Sequence, residues 1–335
     1  MTWSIRTPNG AEVLNSTDDL GVYLLDVITV GGNFESASYQ VPAATRGSTT
    51  DYDYSMEATR IWPVVIPFKV WNYGWRPVLE NWTGPTDTTF TVAWRQLGGS
   101  NVGDSGYVVY VFGAGSPTTT GTYMSWMTDD GTNEYLSADR APMRYLSSET
   151  ITRNTGYDNP TQNGVAFLPE FALPIQQAST TAFAFVPNRF TNVSTEPWFA
   201  WPRSGSNTNT VHWFTSRWPR TDNMGSPHMV MRDPGNRVFF DSRERYMRVL
   251  DIQVVDNTPN GVNGHTNSGT TVVTFSDDVP TDTSWGFFSN IGGINPSFSS
   301  TGGAVTVNGR SLVLANENSV LPSPIIAIAV DLTGL

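Results

Sequence analysis

The sequence predicts an all-β fold of two or three β-sandwich or small-barrel modules with little helix. Three observations carry this expectation. Thirty glycines and 22 prolines, with many Ser, Thr and Asn residues, interrupt nearly every window long enough for a helix. Short runs rich in Val, Ile, Thr, Phe, Tyr and Trp recur between those interruptions. No fixed-period self-similarity of the propeller or solenoid kind is visible, so the strands belong to compact modules.

In chain order, LGVYLLDVITV (20–30), the turn Gly31-Gly32-Asn33 and FESASYQV (34–41) read as a hairpin. In its second arm Phe34, Ser36, Ser38 and Gln40 alternate with Glu35, Ala37, Tyr39 and Val41. Further strands are expected at TFTVAWRQ (89–96), GYVVYVFG (106–113), TYMSWM (122–127), TAFAFVP (181–187) and VHWF (211–214). TTVVTF (270–275), SLVLA (311–315) and IIAIAVDL (325–332) complete the series. The polar, glycine-rich stretch DNTPNGVNGHTNSGT (256–270) is the best linker, dividing an N-terminal β region, 1–256, from a C-terminal module, 257–335. A second boundary is expected in GAGSPTTTGT (113–122).

Residues 233–255 concentrate charge and call for their own reading. Asp233-Pro234-Gly235-Asn236 is strong turn chemistry, because Pro fixes φ and Gly tolerates positive φ. A strand Arg237–Phe240 follows, then the polar break Asp241-Ser242-Arg243-Glu244, then a strand from Arg245 to Val255. Strict alternation along that strand places Tyr246, Arg248, Leu250, Ile252 and Val254 on the buried face.

Composition narrows the function. A formal charge of −11 argues against nucleic acid as the main partner. Among the cations only Lys69 is a lysine, so fork-shaped guanidinium groups dominate, as suits contact surfaces. Cysteine is absent, which excludes disulfides, thiol nucleophiles and Cys-type zinc sites. The start MTWSIRTPNGAEVLN has no basic n-region or apolar h-region, so synthesis in a cytoplasm without secretion is expected. The longest apolar runs, 63–71 and 324–332, fall far short of the roughly 20 residues that span a bilayer, and no membrane insertion is expected.

Two clusters could make contacts. Between Arg217 and Arg248 the chain carries seven arginines against four acids, while the remainder is strongly acidic. Such a belt meets an acidic neighbour or another copy of the chain, or is consumed by local ion pairs. Arg232, Arg237, Arg243, Arg245 and Arg248 are the candidate assembly contacts. The second cluster is aromatic. Trp198, Trp201, Trp213 and Trp218 lie with Arg203 and Arg220 in EPWFAWPRSGSNTNTVHWFTSRWPR (196–220). They could form a flat platform with a polar rim for sugars or another protein surface, or fill a sandwich core.

Other constellations are weak. His212, His228 and His265 lack zinc-site spacing, and TDDGTNE (128–134) reads as an Asp-Gly turn rather than a calcium loop. Glu170 and Glu196 would be the first carboxylates to consider for glycoside hydrolysis, which needs a spatial closeness that sequence does not give. No catalytic residue, metal or cofactor is expected.

LGVYLLDVITVGG and VFFDSRERYMRVLD resemble segments of bacteriophage tail-tip and tail-fibre (minor tail) proteins, the second through an "FDS…YLRVVD"-like strand-turn-strand. The missing cysteine, the signal-less start and the Gly/Ser/Thr/Asn-rich β texture fit the same family. The resemblance implies a virion structural protein of the tail, non-enzymatic, with a role in host adsorption. Its partners would be other tail proteins and further copies of itself, a trimer being favoured. The alternatives are a tail-associated polysaccharide depolymerase and a capsid decoration protein.

Overall fold

The computed structural model describes residues 4–6, 12–15, 21–31, 40–67, 74–97, 101, 103, 106–115, 126–127, 134–136, 142–153, 172–179, 184–187, 197–200, 207–215, 229–232, 238–255, 268–290, 305–317 and 324–335. Strands make up 66% of this part and helix 1%, which bears out the all-β expectation.

The strands of the first third are β1 (Ser4–Arg6), β2 (Glu12–Asn15), β3 (Tyr23–Gly31), β4 (Thr49–Asp53), β5 (Arg60–Pro67), β6 (Gly74–Glu80), β7 (Thr89–Leu97) and β8 (Gly106–Ala114). The middle third has β9 (Trp126–Met127), β10 (Glu134–Leu136), β11 (Arg144–Arg153), β12 (Ala172–Gln177), β13 (Ala184–Pro187), β14 (Pro197–Ala200) and β15 (Asn207–Thr215). Then come β16 (Val230–Arg232), β17 (Val238–Asp241), β18 (Arg248–Val255), β19 (Ser268–Thr274), β20 (Trp285–Ser289), β21 (Val305–Asn308), β22 (Ser311–Glu317) and β23 (Ile325–Asp331). Four larger sheets, ordered β4-β7-β6, β3-β8-β5, β11-β15-β12-β20-β23-β18 and β19-β22-β21, are joined by two-stranded pairs.

Strands β8 and β23 are apolar on both faces and hold the sheets on either side of them. Every residue of β8 is buried. Tyr107 meets Trp94 of β7, with ring centroids 6.2 Å apart, whereas Tyr110 and Phe112 meet Phe288 of β20 at 5.0 and 6.0 Å. In β23, Ile326, Ile328 and Val330 join the core shared with β8, while Ile325, Ala327 and Ala329 join a second core beneath β19-β22-β21. Such two-sided burial erases the polar positions of a half-exposed strand.

The six-stranded sheet also meets itself. Its edge strands β11 and β18 approach at one end, where Arg144 bridges Tyr246. Tyr145 N donates to Arg245 O and Met247 N to Met143 O, each at 2.7 Å. The sheet is therefore closed at that end like a small barrel, and closure removes the exposed edge that would invite non-specific pairing.

β20 and β23, from beyond the stretch 256–270, lie in the same six-stranded sheet as β11, β12, β15 and β18, while β19, at its end, belongs to the sheet β19-β22-β21. The boundary near 113–122 falls just after β8, the last strand of the first two sheets. β3 pairs with β8, and the expected second arm of its hairpin lies largely outside the described residues.

The alternation assumed for 245–255 breaks at Leu250, where the register shifts between Val249 and Asp251. Ahead of this bulge the shared core takes Met247 and Val249; beyond it, Ile252 and Val254. Leu250 is turned to the second core, and Arg248 pairs with Asp331. An extra residue in one strand inverts the faces of all that precede it, which simple period-two counting misses.

Candidate functional site

The arginine-rich turn forms the seam of this closure. β16 and β17 pair as a hairpin, and residues 241–247 lead from it into β18. Asp241 is buried, and its carboxylate takes the Arg243 side chain in a fork, with Nε 2.8 Å from Oδ1 and the terminal nitrogen on Oδ2. The Arg243 backbone N–H donates to the same Oδ1 at 3.0 Å, so one carboxylate fixes both the turn and its cation.

Tyr246 secures the turn from inside. It is 4% exposed and stacks on Phe240 at 5.0 Å. Its hydroxyl accepts from Asp241 N at 2.7 Å and donates to Asp241 O at 3.2 Å. Burial pushes the phenol well above its ordinary range, so it stays protonated at neutral pH. Ser242 adds a reciprocal pair with Met229, its N–H donating to Met229 O at 2.9 Å while its Oγ accepts from Met229 N at 3.1 Å.

Ion pairs then tie the seam to distant strands. Arg144 of β11 stands 3.6 Å from Glu244, and Arg248 of β18 stands 2.8 Å from Asp331 at the end of β23. Arg245 donates to Thr333 O at 3.4 Å and lies against Gly334, whose φ of +75° lets the backbone turn there. All four side chains of the two pairs are less than a fifth exposed. Opposite charges so placed neutralise one another and hold four parts of the chain in register; they leave little cationic surface.

The expected contact residues divide accordingly. Arg243, Arg245 and Arg248 are engaged within their own chain, which favours the ion-pairing alternative for them. Arg232 ends β16 and is exposed, and Arg237 lies outside the described residues. Of the aromatic group, Trp213 is 4% exposed within the core, so it cannot serve an exposed platform. Trp198 lies in β14 opposite Val186 of β13. Trp201, Arg203, Trp218 and Arg220 lie outside the described residues, as do Glu170, Glu196, His228 and His265. The turn at 128–133 also lies outside them, although β9 and β10 pair on either side of it. Among the described residues, no cluster of three or more His, Asp or Glu side chains is placed to hold a metal ion.

Sequence reasoning missed the seam's remote partners, Arg144, Asp331 and Thr333. Each sits at least 83 residues from its mate in the 244–248 segment, and no local pattern signals such pairing. The chain matches no family model, no curated protein and no solved structure.

Proposed function

We propose that this chain is a structural component of a bacteriophage tail, at the tip or fibre, with a role in adsorption to the host surface. The observation that carries the reading is the conformation of VFFDSRERYMRVLD. This segment, which resembles part of small tail proteins, is a strand-turn-strand whose charges are spent on closing a sheet. Its chemistry is that of a framework part. The layered all-β construction supports the same reading, since virion proteins must hold shape under load through packing.

In this proposal the protein acts without catalysis or cofactor, as a homo-oligomer, favoured as a trimer by cyclic closure. Contact with neighbouring tail proteins is assigned to Arg232, which is exposed, and to Arg237. Host recognition falls to Trp198, Trp201, Arg203, Trp218 and Arg220, whose Trp-Pro pairs stiffen the loops before a glycan or outer-membrane receptor arrives. Several copies on one particle would raise a weak affinity by effective concentration.

The test is to replace Trp201 and Trp218 with alanine and measure both particle assembly and adsorption to host cells. Intact particles that no longer adsorb support the proposal. Normal adsorption rejects the aromatic site, and particles that assemble normally without the chain reject the structural role.

A further inference from the structure

We propose that His212 is the proton-sensitive element of the sheet closure: on taking up a second proton its imidazole leaves the interior, displaces Tyr145 and opens the seam between β11 and β18. His212 occupies the middle of β15, between β11 and β12, opposite Ser148 and Ile175. It is 5% exposed, and neither Nδ1 nor Nε2 has a hydrogen-bond partner among the described residues. A neutral imidazole there costs the desolvation of one donor and one acceptor. An imidazolium would bring two donors and a full charge into the same place, which is far costlier.

Among the described residues, the neighbouring strands offer that charge no compensation. β15 and β12 carry no charged residue. On β11, Arg144 and Glu149 stand opposite Thr215 and Val211, on the other face from His212, and Arg153 stands opposite Asn207 at the far end. Arg144 is paired with Glu244, and Arg245 with Thr333 O. The titratable groups turned to the interior face include the phenols of Tyr145 and Tyr110, which cannot neutralise a cation. Burial accordingly pushes the His212 pKa below its ordinary value.

The route to the seam is one residue long. The Tyr145 ring lies 6.1 Å from that of His212 and 5.6 Å from that of Phe214. The backbone N–H of Tyr145 makes one of the two bonds that close the sheet. Because the folded pKa lies below the unfolded value of about 6.5, the stability is fully present above that pH. It is lost as pH falls from there through the folded pKa.

The experiment uses the His228→Gln/His265→Gln variant, in which His212 is the only histidine, so its imidazole resonance titrates unambiguously by NMR. Hydrogen exchange of the Tyr145 and Met247 amides is followed in the same sample, with the Val313 amide of β22 as internal reference, and in His212→Gln. The expected result is a titration below about 6.5. Between about pH 7.5 and pH 5, the Tyr145 and Met247 amides should lose protection relative to Val313 progressively as the pH falls, because the folded pKa lies below the unfolded one. In His212→Gln that loss should be absent. A titration at or above the ordinary value, or seam amides that track the reference at every pH, overturns the proposal. The reference comparison stands even if His212→Gln does not fold.

Discussion

Replacing Tyr246 with phenylalanine removes a single oxygen from the buried side of the seam. The ring and its stacking on Phe240 remain, so the change isolates the hydroxyl. Two hydrogen bonds are lost, at 2.7 and 3.2 Å, each contributing about 1 kcal/mol net. The Asp241 N–H also loses its phenolic acceptor inside the protein, and an orphaned buried donor adds about 1–3 kcal/mol. The sum is a destabilisation of about 3–5 kcal/mol. At about 2 °C per kcal/mol for a chain of this size, the melting temperature should fall by roughly 6–10 °C. Differential scanning calorimetry measures that fall, and hydrogen exchange at the Asp241 amide shows whether the loss is local. A melting temperature within about 1 °C of the parent, with the Asp241 amide still protected, would refute the assignment of this hydroxyl as the anchor of the turn.

Three further outcomes follow from the same geometry. Arg248→Met or Asp331→Leu alone leaves a poorly hydrated charge unpaired and should cost about 3 kcal/mol in urea unfolding, whereas the double change should cost clearly less than the sum of the two. Deleting Leu250 preserves every core-facing position of β18 and should cost only its packing, about 1–3 kcal/mol; inserting an alanine between Asp251 and Ile252 turns Ile252 and Val254 outward and should abolish the cooperative thermal transition. In Gly286→Ala the new methyl would meet Gln176 O at 2.6 Å and Ile175 Cγ2 at 2.7 Å, so overpacking of about 1–3 kcal/mol or more should appear as a lower denaturation midpoint.

What the sequence revealed and what it hid follow from the range of the interactions. β7, β8, β19, β22 and β23 were legible because Val, Ile and aromatic residues run between strong turn signals. β5, β6 and β12 were obscured by proline. Pro63, Pro67 and Pro77 are tolerated because β5 and β6 are edge strands, and Pro174 because β12 pairs with β20 only at Gln176 and Gln177. β20 was hidden differently: WGFFS is buried on both faces, and Gly286 marks a close approach of backbones. At the seam, the turn Asp241–Glu244 and the strand after it could be read locally. The bulge at Leu250 could not, because it exists only relative to β23. The same holds for Arg248 with Asp331, whose meeting depends on the full order of the sheet.

The most direct test of the proposed role is a cryo-electron microscopy reconstruction of a phage particle containing this protein. The chain is expected within the tail tip or fibre, in symmetric copies. Arg243, Arg245 and Arg248 should bond within each copy, and Trp201 and Trp218 should lie on the host-facing side. Density for the chain on the capsid, or particles that lack it altogether, would contradict the proposal.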